Sequence, residues 1–181
     1  MARMLYSATM SLDGFIAGPG GDMSWLTEHL GPNPTVDELI GKIGAILTGN
    51  RSFRGDDPHR GVEGKEGKPF GGGWDGPQFV LTHHAPDRAV PGITFVHDLD
   101  SALAAAKAAA GDRYVNIIGA SVAAQCIDGG MLDEVFVCVA PVLLGEGVRL
   151  FERPGGTNVT LQRLSVTQAP KATNLWFRVV R

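Results

Sequence analysis

Between residues 93 and 140 the chain alternates two kinds of segment. Ile93-Thr94-Phe95-Val96 is short and apolar. Leu99 to Ala110 is alanine-rich, with Asp98 as a capping acceptor before it and Gly111 after it. Tyr114-Val115-Asn116-Ile117-Ile118 is apolar again, Ser121 to Asp128 is helical and stops at Gly129-Gly130, and Glu134 to Ala140 is a third apolar run closed by Pro141. An oxygen-bearing side chain before a helix and a glycine after it satisfy the end groups that the helix leaves unpaired. Near-continuous apolar strands separated by helices belong in a parallel sheet, because each helix carries the chain back across one face. This pattern restricts the chain to an α/β architecture.

The flanking segments extend the sheet. Arg3 to Met10, Ala45-Ile46-Leu47-Thr48 and Gln78-Phe79-Val80-Leu81-Thr82 read as further strands. Pro34 to Ile40 reads as a helix start, with Thr35 as N-cap and Glu38 completing a capping box. Thr157 to Gln168 and Thr173 to Val180 alternate apolar and polar residues around Ala169-Pro170-Lys171, as expected of an antiparallel pair at the sheet edge. The expected fold is a mixed, mostly parallel central sheet with helices on both faces and an antiparallel C-terminal edge. It forms one domain over residues 1–181. Arg54 to Pro77 keeps no period and includes Gly61-Val62-Glu63-Gly64-Lys65-Glu66-Gly67-Lys68-Pro69-Phe70-Gly71-Gly72-Gly73. A loop of this length is either a binding loop or a surface insertion.

Composition narrows the function classes. A 44% hydrophobic and 19% charged chain folds rather than remaining disordered, and a net charge of -3 gives no global attraction for nucleic acid or an anionic membrane. No apolar run reaches spanning length, and Met1-Ala2-Arg3-Met4-Leu5-Tyr6-Ser7 turns polar too soon for a signal peptide. Cys126 and Cys138 lack metal or redox spacing and read as buried thiols of a reduced compartment. The expected location is the cytoplasm.

Three strand ends carry groups suited to an anion. Thr48-Gly49-Asn50-Arg51-Ser52 offers close backbone approach, free N–H groups at a helix start and a fixed positive charge; it equally suits a helix cap with a surface arginine. Thr82-His83-His84 offers a hydroxyl and imidazoles, or plain loop histidines. Gly119-Ala120-Ser121 opens a helix on small residues, which suits either a phosphate or close helix–sheet packing. In open α/β sheets ligands gather at such strand ends. In Ser11-Leu12-Asp13-Gly14-Phe15-Ile16-Ala17-Gly18, Asp13 stands beside apolar neighbours. Burial there would raise its pKa and suit proton donation, whereas an Asp-Gly turn needs no chemistry. Trp25 can stack on a flat ring or fill the core. No nucleophile elbow, Walker loop or zinc-protease motif is present.

The ordered series Ser11-Leu12-Asp13-Gly14, Ile16-Ala17, Trp25-Leu26, Thr48-Gly49-Asn50-Arg51-Ser52-Phe53, Ile118-Gly119-Ala120-Ser121 and Leu132-Asp133-Glu134 through Ala140-Pro141-Val142-Leu143-Leu144-Gly145-Glu146-Gly147 resembles the reductase domain of the bacterial bifunctional riboflavin-biosynthesis deaminase–reductase, a branch of the dihydrofolate reductase-like fold. The resemblance implies NADPH as hydride donor. Gly49, Asn50, Arg51 and Ser52 would line its adenine-side phosphates, with Thr48 just before them. Thr82 and His83 would fall near the 2′-phosphate, Gly119, Ala120, Ser121 and Val122 would face the pyrophosphate, and Ile16 and Ala17 would border the nicotinamide. Asp13 would assist proton transfer. Trp25 and Arg54 would meet a small heterocyclic substrate, with His59, Arg60, Lys65 and Lys68 available for its phosphate. The implied reaction is hydride transfer to C1′ of 5-amino-6-(5-phosphoribosylamino)uracil or a related compound, by a homodimer. Where the family usually has Gly-Arg-Arg-Thr, this chain has Gly49-Asn50-Arg51-Ser52. Two alternatives are dihydrofolate reduction, for which Asp37 and Glu38 are the nearest carboxylates, and nucleotide binding without turnover.

Overall fold

A computed structural model describes residues 1–181. Its eight-stranded sheet has the order β5-β4-β3-β6-β1-β7-β10-β9. The strands are β1 (Arg3–Ser11), β3 (Ile43–Gly49), β4 (Gln78–Leu81), β5 (Ile93–Val96), β6 (Tyr114–Ile118), β7 (Glu134–Ala140), β9 (Leu161–Ala169) and β10 (Ala172–Val179). All pairings from β5 to β7 are parallel, while β10 runs antiparallel to both β7 and β9. The mixed α/β architecture and antiparallel edge are those expected from the strand–helix alternation.

The two-residue period of the strands sorts side chains onto two faces. Met4, Tyr6, Ala45, Leu47, Val115, Ile117, Val135 and Val137 pack with α3 (Leu99–Ala110) and α4 (Ala120–Asp128). Leu5, Ile46, Tyr114, Phe136 and Cys138 pack with Leu39 of α1 (Pro34–Lys42) on the other face. The small residues of α3 let it lie close to the sheet. Close approach makes Gly44 obligatory, since a Cβ there would stand 2.6 Å from the Ala110 carbonyl oxygen.

Some local expectations are corrected. The N-cap of α1 is Asn33, not Thr35: Val36 N–H donates to Asn33 Oδ1 at 3.4 Å. Pro34, with its fixed φ and no N–H to donate, takes the first helical position and moves the cap back. Thr35 instead meets Thr167 across the edge of the sheet (2.7 Å), and Glu38 pairs with Lys42 one turn on (2.5 Å), so no capping box forms. Within the glycine-rich stretch after Asp13 lies a short strand, β2 (Phe15–Ala17), which pairs antiparallel with β8 (Val148–Arg149) in a ribbon separate from the main sheet. A 3-10 helix over Ser24–His29 follows. A four-residue helix, α2 (Asn50–Phe53), leaves the end of β3.

Loop 54–77 is irregular but anchored. Met23 N–H donates to Asp56 (3.0 Å), which also pairs with Arg60 (2.6 Å), His59 N–H donates to Asp57 (2.7 Å), and the Trp74 indole donates to the Ile43 carbonyl (3.2 Å). At the opposite end of the sheet, buried Glu134 accepts from Arg3 (2.9 Å), Tyr114 (2.8 Å) and Trp176 (2.8 Å), tying β1, β6, β7 and β10 together. No helix is long and apolar enough to cross a membrane.

Candidate active site

A cleft of 1510 Å³ opens on the α1 side of the sheet. Its floor is the middle and C-terminal part of the central strands: Ser7 and Thr9 from β1, Thr48 from β3, Ile118 from β6, and Phe136 and Cys138 from β7. One wall is α1, through Asn33, Val36, Asp37 and Ile40. Loop 54–77 forms another, with His59, Lys65, Lys68 and Phe70. The lip is the β2–β8 ribbon, and α2 with the first turn of α4 completes the lining.

Of the residues singled out in the sequence, Ile16, Ala17, Thr48, Arg51, Ser52, Gly119, Ala120 and Ser121 all line this cleft. Their convergence has a local cause. Gly119 sits at φ +103, a conformation that favours glycine, and a Cβ there would lie 2.2 Å from Ser52 Oγ. The starts of α2 and α4 therefore touch. No side chain caps the first turn of α4, so its leading N–H groups stay available beside Arg51, in the arrangement that favours an anion.

Other expected site residues stand elsewhere. Asp13 does not line the cleft, and its environment is the reverse of that expected. Ser11 Oγ donates to it at 2.6 Å, and the Leu144 and Gly145 N–H groups donate at 3.1 and 2.7 Å. The Ser11 hydroxyl first, and then these backbone groups, hold its carboxyl down at about 2. Asp13 is thus a carboxylate that fastens the β1–β2 turn to the segment after β7. Trp25 lies outside the cleft, tilted against the His29 ring with centroids 6.1 Å apart. Arg54 is exposed and donates to Asn50 Oδ1 (3.0 Å), which takes both out of the cleft. Arg60 is held by Asp56. Thr82 is buried with its hydroxyl engaged by His84 N–H (3.1 Å), His83 is exposed, and Val122 is packed in the core. Gly49 also lies off the cleft; a Cβ there would press on Val122 at 3.2 Å.

The floor hydroxyls Ser7 and Thr9 were not singled out in the sequence. The alternation of β1 was their only signal. Asn33 is fixed by reciprocal amide bonds with buried Asn174 (2.8 and 2.9 Å), which locks α1 to β10. Burial pushes the Cys138 thiol up to about 11, so it is a neutral floor group rather than a nucleophile. Phe70 is the only residue other than glycine with positive φ (52°), in a 3-10 turn over Pro69–Gly72, at a cost of about 1–3 kcal/mol.

The profile of the RibD C-terminal domain matches residues 3–175. The chain belongs to the RibD C-terminal domain family. Solved structures agree on the fold. A protein of Shewanella sp. PV-4 provisionally assigned to riboflavin biosynthesis is 22% identical, with 100% of each chain covered and a TM-score of 0.74. The Thermotoga maritima diaminohydroxyphosphoribosylaminopyrimidine deaminase/5-amino-6-(5-phosphoribosylamino)uracil reductase is 18% identical over 99% of this chain and 57% of its own, with a TM-score of 0.66. Enterococcus faecalis dihydrofolate reductase, complexed with NADP(H) and RAB-propyl, is 15% identical over 99% and 97%, with a TM-score of 0.65. No curated protein matches the chain. In this RibD-family chain, therefore, the dihydrofolate reductase-like scaffold carries the cleft at its strand ends.

Proposed function

We propose that this protein is an NADPH-dependent reductase of the riboflavin-biosynthesis type, acting on a small phosphorylated heterocycle. The observation that carries the reading is a cleft lined by two separate sets of anion-friendly groups. One set is the uncapped first turn of α4 with Arg51 and Ser52; the other is Lys65, Lys68 and His59 on the loop wall. Single-ligand pockets span about 300–1,000 Å³. At 1510 Å³ the cleft has room for a dinucleotide and a second molecule side by side.

Gly119, Ala120 and Ser121 would hold the cofactor's pyrophosphate, Arg51 and Ser52 its adenosine-side phosphate, and Ile16 and Ala17 its nicotinamide. When bound, that cofactor would supply a hydride to C1′ of 5-amino-6-(5-phosphoribosylamino)uracil, and with one proton taken up from solvent this would give the open-chain ribityl product. The protein's share is positional. The β2–β8 ribbon excludes water from the nicotinamide side, the sheet floor orients the substrate ring through Ser7 and Thr9, and the loop lysines take its phosphate. Asp13 secures the lip rather than supplying a proton. The acting form is proposed to be a homodimer.

A second reading has an observation of its own. Asp37 of α1 lines the cleft, where a carboxylate could pair with a pterin ring, so dihydrofolate reduction remains the competing activity. Purified protein is mixed with NADPH and either 5-amino-6-(5-phosphoribosylamino)uracil or dihydrofolate, and the loss of reduced-nicotinamide absorbance is followed. Turnover of the pyrimidine supports the main reading, and turnover of dihydrofolate alone supports the second. NADPH binding with neither turned over leaves a nucleotide-binding protein and defeats both.

A further inference from the structure

Phe70 combines three properties found together at no other residue. It lines the cleft, it packs against the core cluster that contains Leu39, Ile43 and Ile46, and its backbone is held at φ 52°. A bulky side chain adopts that conformation only when its surroundings impose it, and such strain gathers where a side chain must be aimed. The surroundings here are specific. Pro69 precedes it, and Gly71 and Gly72 follow at φ 60° and 83°. The His59 ring lies against Gly71 so closely that a Cβ there would come within 2.6 Å of Nε2. Gly73 seats the Phe70 backbone beside Ile40 of α1, a Cβ at Gly73 meeting the Phe70 carbonyl oxygen at 3.3 Å and Ile40 Cδ1 at 3.6 Å. The left-handed turn keeps an aromatic ring on the wall of the cleft that also carries Lys65 and Lys68.

We propose that Phe70 is the specificity-determining wall of the substrate half of the cleft, a face on which a planar heterocycle stacks while its anionic substituent meets Lys65 and Lys68. This deepens the reductase reading and rests on it. The ligand class is a flat nitrogen heterocycle bearing an anionic group, and compact saturated substrates are selected against because they offer the ring no face.

The test uses the full chain labelled with 4-fluorophenylalanine, which gives one fluorine signal for each of the 8 phenylalanines. Phe70 is assigned by its loss in Phe70→Leu. The probes are 5-aminouracil, 2,4-diaminopyrimidine and pterin, added to protein saturated with NADP⁺ or, failing that, to free protein. At least one probe is expected to shift the Phe70 signal while leaving that of core Phe79 in place. Phe70→Ala is expected to weaken binding of that probe about tenfold, the size of an aromatic stacking contact. Phe70→Leu keeps the apolar bulk against α1 and is expected to melt with the wild type, yet to lose most of the same affinity. NADPH affinity stays unchanged in both variants. If no probe moves the Phe70 signal, or if Phe70→Leu binds the probe as the wild type does, the ring is only packing and the proposal is overturned. Failure of the wild type to bind NADPH defeats the reductase reading instead, while the fluorine response still decides the role of Phe70.

Discussion

Gly147→Ala is the sharpest perturbation of the lip. Gly147 adopts φ +137, and a Cβ built there would sit 2.0 Å from the Ala17 carbonyl oxygen and 2.9 Å from both Gly18 C and Cα. All three obstacles are backbone, so no rotamer change can relieve them. The positive φ costs an alanine about 1–3 kcal/mol, and overpacking adds about 1–3 kcal/mol. The protein can limit the total by letting the β2–β8 ribbon separate, because that ribbon stands apart from the eight-stranded sheet. Separation moves Ile16, Ala17 and Gly18 away from the cleft they line. The expected result is a fall of about 5–10 °C in melting temperature for a domain of this size and about a tenfold or greater loss in NADPH affinity. Melting is followed by circular dichroism and affinity by calorimetric titration. Gly145→Ala is the matched control: its φ is +80, but nothing lies within 4 Å of a Cβ there. That variant bears only the conformational cost, about 1 kcal/mol, and keeps its cofactor affinity. If Gly147→Ala binds NADPH like the wild type, or if the two variants behave alike, the ribbon does not form the cofactor's lip.

Three further outcomes are expected. Asp13, held at about 2, contributes stability that is present above the ordinary carboxylate range and is lost as pH falls toward 2; the stability gap between wild type and Asp13→Asn in urea should narrow between about pH 4 and 2, and no Asp13 ionisation should mark the rate near neutrality. Lys68→Glu should raise KM for the phosphorylated pyrimidine about tenfold without changing KM for NADPH, as steady-state kinetics will show. Glu134→Ala strands the buried Tyr114 hydroxyl and the Trp176 indole N–H, and urea titration should register a loss of about 2–4 kcal/mol with little effect on cofactor binding.

The sheet and its helices were legible because burial on both faces writes itself into runs such as Tyr114–Ile118 and Glu134–Ala140, and because Asp98 and Gly111 mark the ends of α3. The glycine-lined junction of α2 and α4 was legible for a similar reason, since only small residues permit that approach. Asp13 was not. Its pKa depends on amides at Leu144 and Gly145, far along the chain, and neighbours in sequence give no hint of them. Arg54 and Arg60 were indistinguishable in sequence from Lys65 and Lys68, yet Asn50 and Asp56 claim the first two and leave the other pair facing the cleft. The β2–β8 ribbon leaves no trace in the sequence because Val148–Arg149 is too short to show a period.

Strand β1 lies at the centre of the sheet, yet its two neighbours, β6 and β7, begin only at Tyr114 and Glu134. The segment that supplies the floor hydroxyls therefore has no permanent partner until the second half of the molecule is in place. Such long-range closure makes assembly slow and leaves an apolar ribbon open to wrong encounters meanwhile. Efficient recovery of this protein should thus depend more on refolding concentration and temperature than on any feature of its chemistry.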